Sequence, residues 1–251
     1  MLDQIQKYLD VALYPDRLTA ARPDGRNVAM PIYPQLQNSE KFGGVTNAFY
    51  TSAGIFVKAA ANRMERLSDI GWKEVAVNEL KPFINGTAAI LKTTRNRNDE
   101  LTAMEADFLR RDVDPVRAAE IRGYVRNMRL NDVMQLALSN ADVASAILDG
   151  RDLVGVPDTA VPAIKDALIQ NNLIARYAGM YKLRPDLKNL LQSGPDINAA
   201  QAAGKQALAN YKSAKDEVEL AESLVHSALN FAAVVADVSN ADIFDLIKEA
   251  A

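Results

Sequence analysis

Over residues 197–235, small or apolar side chains recur at alternating steps of three and four: Ile197, Ala200, Gly204, Ala207, Tyr211, Ala214, Val218, Ala221, Val225, Ala228, Ala232 and Val235. This is the a/d seam of a heptad pattern, and it predicts one helix of roughly 60 Å at about 1.5 Å per residue. Past Val218 the apolar face widens as Leu224, Leu229 and Phe231 join it. A wide face suits packing among several helices rather than a two-stranded coil. Residues 218–236 therefore read as one helix of an intramolecular bundle, while 197–217 are left open for a partner.

The helical period recurs upstream in shorter pieces. Leu2, Ile5, Tyr8, Leu9 and Ala12 predict an amphipathic helix over 2–14, ended by Pro15. Residues 15–50 carry Pro15, Pro23, Pro31 and Pro34 with Gly25, Gly43 and Gly44, which rule out a long regular element. Val28, Met30, Ile32, Tyr33 and Leu36 are too apolar for free solvent, so the stretch reads as an extended arm lying on a neighbour or on the chain's own surface. Helix resumes over 46–70 with Phe56, Ala60, Leu67 and Ile70, and Gly71 is its expected stop. Between Trp72 and Leu91, Pro82 and Asn85-Gly86 predict an interrupted helix; residues 92–98 read as a polar loop before a helix through Leu101, Met104, Phe108 and Leu109.

Asp114-Pro115 is a start signal, Asp as N-cap and Pro at the first helical position, and Ile121, Tyr124, Val125 and Met128 give the stripe that follows. Asn131 and Asn140 are expected caps of two short helices, with Gly150 closing the second. Asp158 or Thr159 opens the next, which tolerates Pro162 in its first turn and ends or bends at Gly179. Arg184-Pro185 opens another turn through Leu187, Leu190 and Leu191, Asp196 caps the heptad helix, and Ser239-Asn240 restarts a terminal helix. No segment sustains the period-two alternation of a strand. The fold class is all-α: a multi-helix bundle with one long C-terminal heptad-patterned helix and an extended N-terminal arm. Three regions follow: N-terminal helix and arm over 1–50, helical core domain over 51–193, and long helix plus short C-terminal helix over 194–251.

Composition alters this picture little. A chain of 251 residues, 49% hydrophobic and 24% charged, is globular rather than disordered. Aromatics are only 6%, so the expected core is one of closely spaced helices rather than large rings. A net charge of −3 gives no general drive toward nucleic acid or an anionic membrane. With no cysteine, disulfides, thiol nucleophiles, zinc fingers and iron–sulfur clusters are excluded. Met1-Leu2-Asp3-Gln4 shows no basic-then-apolar leader, and no run approaches the ~18 apolar residues of a membrane span.

Candidate chemistry is sparse. His226, the only histidine, falls at a b position facing away from the seam and lacks a cysteine, a serine nucleophile in a recognisable elbow or a second histidine to make a metal pair. Neither a phosphate-binding G-x-x-x-x-G-K-[ST] nor a G-x-G-x-x-G is present. Asp112-Val113-Asp114 reads as a polar turn ending in a cap rather than a metal-binding pair, and Asn85-Gly86-Thr87 as a turn rather than a glycan acceptor. Carboxylate-only catalysis stays open, since a glycosidase needs just two acids about 5–10 Å apart. Arg122, Arg126 and Arg129 form a basic stripe at helical spacing beside Lys92, Arg95 and Arg97, expected to pair with Asp107, Asp112, Asp114 and Glu120. Residues 196–251 hold nine acids against four basic residues, an asymmetry that favours head-to-tail contact between copies. No catalytic, cofactor-binding or metal-binding residue is assigned, and no cofactor or small-molecule ligand is expected.

Glu120-Ile121-Arg122, Asn131-Asp132-Val133, Ala146-Ile147-Leu148-Asp149-Gly150 and Leu153-Val154-Gly155-Val156, with Tyr177 and Tyr181 closing the next helix, together resemble a pattern in uncharacterised helical proteins of tailed phages and prophages. The resemblance covers about 114–191 and implies a virion-associated or assembly context without carrying over any catalytic residue. The expected function is that of a non-enzymatic structural or assembly protein, in the virion or in host cytoplasm during assembly. Its expected partners are further copies or other virion proteins, reached by the arm over 15–50 and the helix over 197–236. Two alternatives are a peptidoglycan-cleaving glycosidase and a virion interior protein that contacts DNA.

Overall fold

A computed structural model of the chain describes residues 9–64, 69–184 and 191–250. Helix dominates it, and the long C-terminal helix packs against others, so the all-α, bundle-like class stands. The chain divides into two compact units, Met1–Asp99 with Lys215–Ala251, and Glu100–Ala214.

The first unit opens with a departure from expectation. Strands β1 (Asp10–Leu13), β2 (Arg17–Ala21) and β3 (Asn27–Pro31) pair as an antiparallel meander in the order β1-β2-β3. Residues 10–13, expected at the end of a helix, are therefore strand, and the arm is extended chain paired with itself. The rest of the helix predicted over 2–14 falls largely outside the described residues. Register places Val11 opposite Ala20 and Leu18 opposite Met30, so one face carries Val11, Leu18, Ala20 and Met30, all buried. Arg22 continues that two-residue alternation and is buried with them.

After α1 (Pro34–Gln37), helices α2 (Gly43–Met64) and α3 (Asp69–Leu109) follow. The Tyr50 hydroxyl accepts from the Tyr33 amide at 3.0 Å and donates to the Pro31 carbonyl at 3.2 Å, tying α2 to the end of β3. α3 runs for 41 residues through Gly71, Pro82, Asn85-Gly86 and residues 92–98, correcting the predicted stop, interruption and loop. Pro82 and Asn78 both lie on its exposed face, where the carbonyl that proline leaves without a backbone donor is open to solvent rather than buried. On another face, a Cβ at Gly86 would stand 3.1 Å from the Phe49 ring, so glycine there permits close approach of α2 and α3.

The core of this unit also departs from expectation, because the few aromatics are concentrated in it. Phe83 lies 5.0 Å from Phe49, 6.3 Å from Phe56 and 5.5 Å from Phe231, ring centre to ring centre. Phe42, Phe49, Phe83 and Phe231 are all fully buried.

In the second unit, α4 (Pro115–Val125), α5 (Leu130–Ser139), α6 (Ala141–Asp149), α7 (Arg151–Val154) and α8 (Val161–Met180) surround a core of Val125, Val133, Ala137, Ile147, Ile164 and Leu168. α6 is central, with residues 143–147 all buried. Caps fall where the residue types require them. Asp114 accepts from the amides of Val116 and Arg117, both at 3.0 Å, and Asn140 accepts from Asp142 and Val143. α5 instead begins at Leu130 with Arg129 at its N-cap, so Asn131 caps nothing. A short 3-10 turn over Asp158–Ala160 precedes α8. The turn predicted after Arg184-Pro185 lies almost wholly outside the described residues.

Helix α9 (Ile197–Ala236) is unbroken over 40 residues, with Asp196 accepting from the Ala199 amide at 3.0 Å. It begins in the second unit and ends in the first, where α10 (Asn240–Ala250) follows. Ser239 and Asp242 cap α10 reciprocally: the Asp242 amide donates to Ser239 Oγ, and the Ser239 amide to Asp242 Oδ2, both at 3.2 Å.

Candidate functional site

The heptad seam is core within the chain itself. Ala200, Gly204, Tyr211 and Ala214 are buried, as are Val218, Ala221, Val225, Ala228, Ala232 and Val235; Ile197 alone stands exposed. A Cβ at Gly204 would meet the Ile174 side chain at 3.0 Å and its backbone nitrogen at 3.3 Å, so α8 fills the half that the pattern leaves open for a partner. α9 is also long and apolar enough in composition to cross a bilayer, and half of its most apolar 18-residue window is buried, as in a core helix.

Side chains with candidate chemistry are dispersed. His226 is exposed, off the seam as its heptad position requires. Asp114 is committed to its cap, and no group of acids and histidine that could hold a metal occurs among the described residues. Thr87 of the Asn85-Gly86-Thr87 triplet is buried in α3 and donates to the Phe83 carbonyl at 3.0 Å. Lys92, Arg95 and Arg97 sit on α3 rather than a loop.

The arginine stripe is not one face, because α4 ends at Val125. Arg122 lies across Gly150 and donates to the Ala146 carbonyl at 3.4 Å. Arg126 caps the end of α4, and Arg129 opens α5. Two of the four acids expected to pair with them are engaged elsewhere: Asp107 with Arg176 at 2.9 Å, Asp114 with amides.

Two polar clusters form that the sequence patterns did not single out. In the first unit, the hairpin loop between β2 and β3 grips the end of α9. Arg22 donates to the Val234 carbonyl at 3.1 Å and faces Asp237 at 3.5 Å, while Trp72 Nε1 donates to the Val235 carbonyl at 3.0 Å. Arg26 pairs with both Asp24 and Asp237, and its guanidinium holds the Asp24 carboxyl below the usual carboxylate range. In the second unit, Glu105 accepts from Tyr211 and from Lys165 at 3.1 Å, with the Phe108 ring edge-on to Tyr211 at 5.8 Å. These donors join α3, α8 and α9, and the cluster acts as a helix staple.

A cleft of about 250 Å³ in the first unit lies between α3 and α10, lined by Val77, Ile84 and Leu246 with Lys81, Asn85 and Glu249. Ala250 completes the lining, and the four apolar and three polar side chains outline no set of catalytic groups.

No protein-family model, curated protein or solved structure matches this chain.

Proposed function

We propose that the chain is a non-enzymatic structural or assembly protein of a phage particle, acting through helix packing and subunit contacts in the virion or in host cytoplasm during assembly. The observation that carries the reading is a set of large apolar side chains left exposed at helix ends beside two of the connections. Tyr124 is 68% and Leu130 45% exposed at the α4–α5 connection. After α8, Met180, Tyr181, Leu191 and Ile197 stand exposed where the Leu183 amide bonds to the Gly194 carbonyl and the Asp196 amide to that of Tyr181. Grouped exposed apolar surface marks interaction sites. The phage context comes from the resemblance over 114–191.

The contacts assigned to the arm and seam now pass to these connections, since the meander and α9 bury their own apolar faces. Sedimentation velocity over a concentration series tests the reading, and growth of species larger than the monomer is expected. A strictly monomeric protein that clears a cell-wall zymogram would overturn it in favour of a glycosidase.

A further inference from the structure

The cleft between α3 and α10 combines an apolar floor with unpaired charge of both signs. Its two walls are helical stripes, Val77, Lys81, Ile84 and Asn85 on α3 facing Leu246 and Glu249 on α10. Both helices belong to the first unit, so the cleft is complete within it. Ile84 is 4% exposed, and Val77 and Leu246 are half-buried, which sets the apolar side chains beneath the polar ones.

Lys81, Asn85 and Glu249 are exposed, and none of them makes a hydrogen bond or ion pair among the described residues. Lys81 and Glu249 line one space from opposite helices and yet do not pair across it. Elsewhere, lysines that face an acid on a neighbouring helix close on it, as Lys165 does on Glu105 and Lys212 on Asp166.

The two signs select a class of ligand. A small anion drawn to Lys81 would meet the Glu249 carboxylate, and a small cation drawn to Glu249 would meet the Lys81 ammonium. A molecule with a carboxylate and an ammonium on one carbon is attracted at both walls. Lys81 and Asn85, one turn apart, supply N–H donors to the carboxylate, and Glu249 supplies only acceptors, as an ammonium requires. An apolar cavity of about 150 Å³ takes up benzene, so a cleft of about 250 Å³ admits a branched or aromatic side chain together with its charged head.

We propose that this cleft binds a small zwitterion with an apolar side chain, of the class of the free apolar α-amino acids. Its carboxylate lies on Lys81 and Asn85, its ammonium on Glu249, and its side chain against Val77, Ile84 and Leu246. The site is independent of the assembly reading and stands or falls without it.

Amide NMR of the full chain tests it with L-leucine and L-phenylalanine as probes. Saturable shifts confined to amides over 77–85 and 246–250 are expected. Two analogues separate the charges of leucine: isoamylamine lacks the carboxylate and isocaproate lacks the ammonium. Each is expected to bind about three- to fivefold more weakly than leucine, since charge pairs in an open cleft contribute modestly. Glycine, without the apolar side chain, is expected to lose about tenfold. Lys81→Met and Glu249→Gln, both at exposed positions, are each expected to weaken leucine about three- to fivefold, whereas Lys92→Met, on α3 outside the cleft, leaves it unchanged. Shifts that stay linear up to the solubility limit of both amino acids would overturn the site. Binding of isoamylamine or isocaproate as tight as that of leucine would overturn the zwitterion.

Discussion

Arg22 and Asp237 meet at 3.5 Å with the arginine side chain only 3% exposed, joining the second strand of the meander to the end of α9. The same guanidinium donates to the last carbonyls of α9, which have no partner within the helix. Arg22→Met leaves those groups buried without their donor and is expected to lower stability by about 3 kcal/mol in urea unfolding. Arg17→Met, at the exposed start of the same strand, is expected to stay within about 0.5 kcal/mol. Equal shifts for the two would mean that the clamp contributes nothing.

Asp237 also adopts a left-handed backbone, φ 59°, that most side chains resist. Charge and backbone can therefore be separated. Asp237→Asn keeps the tolerance and loses the charge, Asp237→Gly relaxes the backbone, and Asp237→Ala loses both advantages. Thermal midpoints are expected to place Ala lowest, by about 1 kcal/mol below Asn and Gly. An alanine variant as stable as asparagine would contradict the backbone argument.

On α3, two substitutions to alanine should have opposite signs. Pro82→Ala restores a hydrogen bond on an exposed face and is expected to stabilise by about 1–3 kcal/mol. Gly86→Ala would ordinarily gain up to about 1 kcal/mol in a helix. Here it must displace Phe49, which is fully buried and held 5.0 Å from Phe83, so a loss is expected. Chemical denaturation of both variants checks the pair.

Burial pushes the Tyr50 phenol from its usual value near 10 up to about 12, outweighing the favourable bond from the Tyr33 amide. A raised value means that the unfolded chain releases this proton first. The contribution is fully present below pH 10 and declines as pH rises through the window from about 10 to 12. Tyr50→Phe is expected to remove that part of the alkaline slope, while costing about 1 kcal/mol near neutrality through its lost hydrogen bonds. Denaturation midpoints at pH 8 and in the alkaline window measure both effects.

Local signals were legible in the sequence, and features set by tertiary packing were not. Caps at Asp114, Asn140, Asp196 and Ser239 need only a few neighbouring residues, and each occurs where its type and position require. The meander escapes the alternation test because its strands are four or five residues long and its inward positions include Ala20 and Arg22. Pro23-Asp24-Gly25 held the available signal: a turn sequence, with Gly25 at φ 89°, between two short apolar runs. Pro82 and Gly86 look like breaks, yet Pro82 lies on the exposed face of α3 and Gly86 lets Phe49 approach closely. Tyr124 was the most consequential ambiguity. Its spacing matches Ile121, Val125 and Met128, yet it faces out while those three pack inward to different depths. The spacing therefore assigned an exposed residue to the core.

The central claim is that the whole α9 seam is core within one chain, leaving association to the exposed connections. Hydrogen exchange along α9 in dilute, monomeric protein tests it most directly. Amides over 200–214 are expected to be strongly protected, and their protection should not change as concentration rises. Rapid exchange there when dilute, with protection gained on concentration, would place that half of the seam between copies and contradict the account.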